Sequence, residues 1–340
     1  MENSYKVTEL PKSPIFIVGY PRSGTTLLRA LLGAHSKIHL INEPEIMRGI
    51  KSLGVEFSDR IHHKDFPHLL NKLRDMRVCG QYISKLSAER LNEQVEIKES
   101  LSFKEVYEFL LPKPDNIEIW GEKSLGNIFY ISDLYKLYPG AIFIHILRDP
   151  RAALLSHYRK KFANSEDCDP VFNRAGIRFF IQGSIRWKYW LEAVKDAQKI
   201  LPKSSFIQIL FSDLVTYPEQ ELRRICSKIK IDFEPEMLDV SRRKNDPVVS
   251  SSGAYAHQNL NKSIDSSRAQ SDVELPAWAS YIVKKYLLNN LSDLKLLSFE
   301  ETPFYEKCRI ELETLIAENK IKSRLSKNIN NRNGYSKQVK

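Results

Sequence analysis

A chain of 340 residues with 42% hydrophobic and 28% charged side chains has the composition of an ordinary globular protein, long enough to bury a substantial core. Its formal charge of +10 fits an anionic ligand or a polyanionic surface, but the stretch after Glu318 is dense in Lys, Arg and Asn, so charge alone does not identify a nucleic-acid binder. Cys79, Cys168, Cys226 and Cys308 stand far apart with no C-x-x-C spacing, which argues against a zinc site and a dense disulfide framework and for a reducing compartment.

Residues 1–14 form a short polar tail without the apolar core of a signal peptide, and no apolar run approaches the roughly 18 residues of a membrane span. The chain reads as soluble and cytoplasmic. Ile15–Val18 are four consecutive apolar residues, the pattern of a strand covered on both faces. Gly19 and Gly24 bracket a loop, and a helix follows whose Leu27, Leu28, Leu31 and Leu32 share one face. A strand, a glycine-bounded turn and a helix start in succession make an anion cradle, because backbone N–H groups converge where the helix dipole favours negative charge. The Gly-x4-Gly spacing is that of a P-loop. Yet Thr25, followed by Thr26, stands where a triphosphate-binding loop carries its lysine. That lysine reaches the β/γ-phosphates in NTPases, so this loop is expected to hold an anion without triphosphate chemistry, with Arg22 as its cation. A bare Gly-x4-Gly can also do no more than end a strand.

The full string from Tyr20 to Thr26 resembles the 5′-phosphosulfate-binding loop of sulfotransferases that use 3′-phosphoadenosine 5′-phosphosulfate (PAPS), a family with a P-loop-like fold. The resemblance implies that Arg22, Ser23, Gly24, Thr25 and Thr26 hold the donor nucleotide.

Residues 38–41 read as a second strand ending at Asn42-Glu43-Pro44-Glu45, and carboxylates at a strand's carboxyl end lie where open α/β sheets bind ligands. Either Glu43 or Glu45 could equally serve a solvated turn or the dipole of a following helix. The tyrosylprotein branch of the family has its catalytic base at the place matched by Glu43, and an arginine where this chain has Glu45, so acceptor recognition is not carried over to Glu45. Residues 46–116 are polar and helical in pattern, with segments 66–77, 86–95 and 103–111, and read as an insertion on the acceptor side. His62 and His63, adjacent on an exposed stretch, read as surface residues rather than metal ligands.

Residues 117–124 form a short strand running into a loop, followed by a helix over 128–138. Lys123 sits at the strand exit, where a solvated lysine is the plain reading. By resemblance to the family's Glu-Lys-Thr element it would face the transferring sulfuryl group and its leaving oxygen. Residues 141–147 are a continuous apolar strand ending at Arg148, after which Asp149 suits an N-cap and Pro150 the first helical position. Ser156 follows nearly two turns in, on the face of Ala152 and Ala153, whose small side chains permit a ligand's approach. Arg148 can fork onto phosphate oxygens, and Arg148 with Ser156 resembles the family's 3′-phosphate motif. In isolation the same pattern is a capped helix with an incidental serine.

A long amphipathic helix over 172–201 carries Phe179, Phe180, Ile185, Trp187, Trp190 and Val194, aromatic spacing that belongs mainly to a core. Residues 205–211 read as the next strand, leading to a helix through Ile229. This resembles the family's Tyr-Glu-Asp-Leu-x-x-x-Pro-Glu element, with Phe211 and Ser212 in place of Tyr-Glu, so no adenine contact is carried over to them. Residues 241–275 read as a long loop, within which His257 to Lys262 resembles the lysine-bearing segment that closes over the nucleotide and gives Lys262 a phosphate. A last helix over 305–317 precedes a mobile basic tail, 318–340.

The expected architecture is a single α/β domain over 15–317, a central parallel β-sheet flanked by helices, P-loop NTPase-like, with Gly19–Thr26, Glu43, Lys123 and Arg148 at one carboxyl edge. The resemblance implies transfer of a sulfuryl group from PAPS to an acceptor hydroxyl or amine, releasing adenosine 3′,5′-bisphosphate, with no metal. Glu43 would take the acceptor's proton, while Arg22, Lys123 and the loop N–H groups stabilise charge on the bridging oxygen. The acceptor stays open among carbohydrate, lipid, peptide and small alcohol. Two other readings share the loop: a small-molecule kinase, which Thr25 opposes, and a polyanion-binding module without chemistry. No surface interleaves aromatic and basic residues as a nucleic-acid binder requires.

Overall fold

The computed structural model describes residues 14–77, 79–84, 99–111, 117–162, 169–239, 264 and 274–287. They fall into two compact units: residues 14–148 with 189–239 and Ile264, and residues 149–188 with 274–287.

The first unit holds strands β1 (Ile15–Val18), β2 (Ile38–Asn42), β3 (Arg60–His62), β4 (Ser100–Ser102), β5 (Ile119–Lys123), β6 (Ile142–Leu147) and β7 (Phe206–Leu210). Five of them make one sheet in the order β2-β5-β1-β6-β7, and every pairing in it is parallel. The apolar runs explain this: a parallel sheet is covered on both faces, so its strands need no polar alternation. Side chains still alternate in direction. Ile15 and Ile17 enter a core with Leu28, Leu31 and Leu32 of the first helix, α1 (Thr25–Gly33), and with Leu222 and Ile225. Phe16 and Val18 enter a second core with Met47, Phe66, Phe103, Trp120 and Phe143. The expected central parallel sheet with flanking helices is present.

The sheet order also fixes where a ligand belongs. From β1 the chain moves out to β2, returns to β5 on one side of β1, and then crosses to β6 on the other. Such a reversal opens a crevice beyond the strands' carboxyl ends, where Gly19, Glu43, Ser124, Arg148 and Phe211 follow their strands.

The stretch 46–116 contains the helices read at 66–77 and 103–111, but buries more than its polar pattern indicated. Helices Ile46–Ser52, Phe66–Asp75 and Phe103–Phe109 are present, the last opened by a capping box between Ser102 and Glu105. Ile46, Met47, Ile50, Phe66, Leu73, Val106 and Tyr107 are buried in the second core, so the segment carries packing as well as surface. An antiparallel β3–β4 pair joins it. Each of these strands has three residues, too few for alternation to show. His62 and His63 are exposed. The segment 86–95 lies outside the described residues, as do Lys262, the 305–317 helix and the terminal tail.

The second unit contains helix Pro150–Phe162, the first part of helix Arg174–Ile200, and helix Ala277–Tyr286. It packs around rings: Phe180 meets Tyr158 with centroids 5.8 Å apart and Trp278 edge-on at 5.3 Å. No helix among the described residues is long and apolar enough to cross a membrane.

Candidate active site

The loop after β1 has little freedom. A Cβ at Gly19 would lie 2.8 Å from the Ile146 carbonyl oxygen, and one at Gly24 would lie 2.4 Å from Phe211 Cδ2. Gly24 also holds φ at 96°, and Arg22 takes φ of 71°. This left-handed turn delivers the chain to α1, whose start has no side-chain cap. The opening N–H groups of a helix have no partner within it, so those at the start of α1 must be met from outside the helix. Ser23 and Thr25 are buried, and the Ser23 N–H donates to the Tyr20 carbonyl at 3.1 Å, closing the loop on itself. Tyr20 is buried edge-on to Trp190, which in turn meets the half-exposed ring of Phe129.

Arg148 arrives beside this loop because β6 and β1 are neighbours. Its Nη1 donates to the Arg22 carbonyl at 2.9 Å, and its guanidinium lies 4.3 Å above the centre of the Phe211 ring. The β6–β7 register pairs Leu147 with Leu210, so the next residue on each strand, Arg148 and Phe211, must be neighbours. Sequence reasoning missed this role for Phe211, and the available signal was an aromatic at a strand's carboxyl end. The same ring closes against Gly24, joining the loop to Arg148.

The β2–β5 register pairs Asn42 with Lys123, which sets Glu43 over the end of β5. The Glu43 N–H donates to the Lys123 carbonyl at 2.7 Å, and Lys123 Nζ donates to Glu43 Oε1. Lys123 is fully buried while the Glu43 side chain keeps 17% of its surface exposed. Burial pulls the ammonium of Lys123 below its ordinary pKa, against the Glu43 carboxylate, which holds it up. A buried charge needs such a partner. The lysine is therefore sequestered beneath the glutamate.

Glu45 accepts from the Gly126 N–H at 3.2 Å, and burial pushes its carboxyl above the usual range. It anchors the turn after β5. Glu122, which sequence reasoning passed over, is fully buried in the same strand and receives the hydroxyls of Tyr107 and Ser124 and the amide of Asn127. Little in the sequence marked it, because Lys123 and Ser124 follow it directly and the run reads as a strand exit.

Asp149 caps the Pro150–Phe162 helix as expected, accepting from the Arg151 N–H at 2.8 Å. Ser156 stands in that helix, partly exposed, in the second unit. The structure brings together Arg22 to Thr26 with Arg148, and Glu43 with Lys123, all within the first unit.

Comparison with known proteins adds to this geometry. Residues 14–235 match the model of the Sulfotransferase family. Protein-tyrosine sulfotransferase A of Caenorhabditis elegans is 24% identical over 224 residues, 66% of this chain and 51% of that one. The protein-tyrosine sulfotransferase of Drosophila melanogaster is 24% identical over 233 residues, 68% of this chain and 41% of its own length. The chain thus spans about half the length of these relatives. Among solved structures, the sulfotransferase domain of the Synechococcus PCC 7002 olefin synthase superposes with a TM-score of 0.57 at 21% identity, covering 84% of this chain and 96% of that domain, a likeness of fold. With the family match running from β1 past β7 and taking in the loop, both strand-end carboxylates, Lys123 and Arg148, the chain belongs to the sulfotransferase family.

Proposed function

We propose that this chain moves a sulfuryl group from PAPS to an acceptor hydroxyl, with Glu43 as general base. The observation that carries the reading is the Glu43–Lys123 pair at the sheet's carboxyl edge, at the end of a strand two places from the one that feeds an uncapped, positively charged loop. The residues present suit the donor: the opening N–H groups of α1 and Arg22 would take the 5′-phosphosulfate, and Arg148, braced by Phe211 and the Arg22 carbonyl, would take the 3′-phosphate by a forked contact. The bound donor supplies a sulfuryl group on a good leaving oxygen.

As the acceptor oxygen bonds to sulfur, its proton passes to the Glu43 carboxylate, while the bond from sulfur to the bridging oxygen breaks and leaves negative charge there. The pairing gives that proton a second effect. A protonated Glu43 no longer neutralises Lys123, so the ammonium's charge turns toward the new anion as it forms. The first acceptor to test is the phenol of a peptide tyrosine. Two relatives carry that activity in their names, and the half-exposed ring of Phe129 against Trp190 offers a flat acceptor an aromatic surface.

Titration calorimetry tests the nucleotide assignment. Adenosine 3′,5′-bisphosphate should bind at least about tenfold more tightly than adenosine 5′-phosphate, since each charge-assisted hydrogen bond contributes about 1.5–3 kcal/mol. Equal affinities would remove the 3′-phosphate site, and preference for ATP with Mg²⁺ would establish the kinase reading.

A further inference from the structure

Glu43 and Glu45 both hold φ at 51°, a left-handed conformation that residues other than glycine keep only where their surroundings impose it. The imposing structure is the end of β5. Ser124 Oγ accepts the Glu45 N–H at 3.0 Å and donates its own proton to Glu122 Oε2 at 2.6 Å. Glu122 Oε1 receives the Tyr107 hydroxyl and, at 2.8 Å, Asn127 Nδ2, so both carboxylate oxygens are fixed. The Gly126 N–H returns to Glu45 Oε1 at 3.2 Å, and the Glu43 N–H is tied to the Lys123 carbonyl at 2.7 Å. With the bond from Lys123 Nζ to Glu43 Oε1, segment 43–45 is fastened to segment 122–127 at four points. Glu122, Ser124, Tyr107 and Asn127 are all fully buried, where a carboxylate is costly unless it is hydrogen-bonded, and both oxygens of Glu122 are.

We infer that Glu122 and Ser124 are positioning residues for Glu43: together they hold the strained 43–45 turn so that the Glu43 carboxylate stays over Lys123 at the crevice. Neither touches the reacting atoms. They act through the backbone of Glu45 and the two-residue span back to Glu43. This inference rests on Glu43 as the base.

The test is a mutant cycle read by steady-state kinetics with PAPS and a tyrosine-bearing peptide, alongside calorimetric affinity for adenosine 3′,5′-bisphosphate. Ser124→Ala should lower kcat by about 10- to 100-fold, because a catalytic group misplaced by about 1 Å loses that much. Its affinity for the nucleotide should stay within about twofold of the parent, and Ser124→Thr, which keeps the hydroxyl, should recover most of the rate. In a Glu43→Gln background Ser124→Ala should cost no more than about twofold, since a residue acting through Glu43 has nothing left to position. Should Ser124→Ala not fold, Tyr107→Phe, which removes one donor to Glu122 and keeps the ring, should show the same non-additivity with a smaller loss. Additive losses in the Glu43→Gln background, or nucleotide affinity falling in step with kcat, would overturn the positioning role while leaving Glu43 as base. If Glu43→Gln alone leaves kcat unchanged, the base assignment fails and the positioning role goes with it.

Discussion

Lys123 has no access to solvent, and Glu43 has some; that asymmetry decides what each contributes to stability. Glu43→Ala leaves a buried ammonium without its carboxylate, a change that costs about 3–5 kcal/mol in comparable pairs. Lys123→Met leaves a carboxylate that water still reaches, and its cost should be clearly smaller. Urea unfolding of the two variants checks this order, and the reverse order would mean that the lysine is not sequestered as described. A second prediction concerns Phe211. Arg148→Ala should weaken adenosine 3′,5′-bisphosphate by about 1.5–3 kcal/mol through lost charged contacts. Phe211→Leu should weaken it by about 0.5–2 kcal/mol through the lost guanidinium–ring contact, although Phe211 would not itself touch the 3′-phosphate. Calorimetry on both variants separates a supporting ring from a bystander. Arg148, Glu43 and Lys123 were legible as candidates because each sits at a strand end, and Arg22 because it lies in the loop between Gly19 and Gly24. The contact of Arg148 with Phe211 was not, because it depends on the β6–β7 register between residues 63 positions apart in the chain.

Strands of the sheet were the most legible elements, since β1 is an unbroken apolar run and β6 is interrupted only by His145, the first followed by glycine and the second by arginine. The helix after β6 announced itself through Asp149 and Pro150, whose cap is made as read. The β3–β4 pair left no such trace, and Glu122 was hidden by the Glu-Lys-Ser run, which reads as a strand exit rather than a buried carboxylate. The loop's backbone makes its own prediction. Gly24→Ala meets both a φ of 96° and the Phe211 ring, so nucleotide binding should fall by at least about tenfold and stability by about 1 kcal/mol or more. Gly33→Ala, where nothing lies within 4 Å of the added Cβ, is the control and should be nearly silent in both measurements. At β6, burial pulls the pKa of His145 from its ordinary 6.5 down to about 4. The unfolded chain therefore takes up this proton first as pH falls. His145 contributes no penalty above about pH 6.5, and stability is lost progressively between about pH 6.5 and about pH 4, reaching about 3 kcal/mol. Urea unfolding across that range should show His145→Gln losing less stability than the parent; equal losses would contradict the assignment.

At the scale of the molecule, a parallel sheet brings strand ends from distant parts of the chain to one crevice, and the family match covers that whole edge. The proposed chemistry suits what stands there. A sulfuryl group carries one negative charge less than a terminal phosphoryl group, whose transfer usually needs Mg²⁺. Arg22, Lys123 and the backbone N–H groups of the loop can meet the smaller charge, so turnover should survive EDTA. Activity abolished by chelation and restored by a divalent cation would favour phosphoryl chemistry instead. The central claim, that this edge transfers sulfuryl groups with Glu43 as base, is tested most directly by following radiolabelled sulfate from PAPS into a tyrosine-bearing peptide with the parent chain and with Glu43→Gln. The account predicts label in the peptide's phenol and release of adenosine 3′,5′-bisphosphate by the parent, with the rate lowered by roughly 10²–10⁴-fold in Glu43→Gln and nucleotide affinity nearly unchanged. Transfer at equal rates by both proteins, or loss of nucleotide binding as large as the loss of rate, would contradict it.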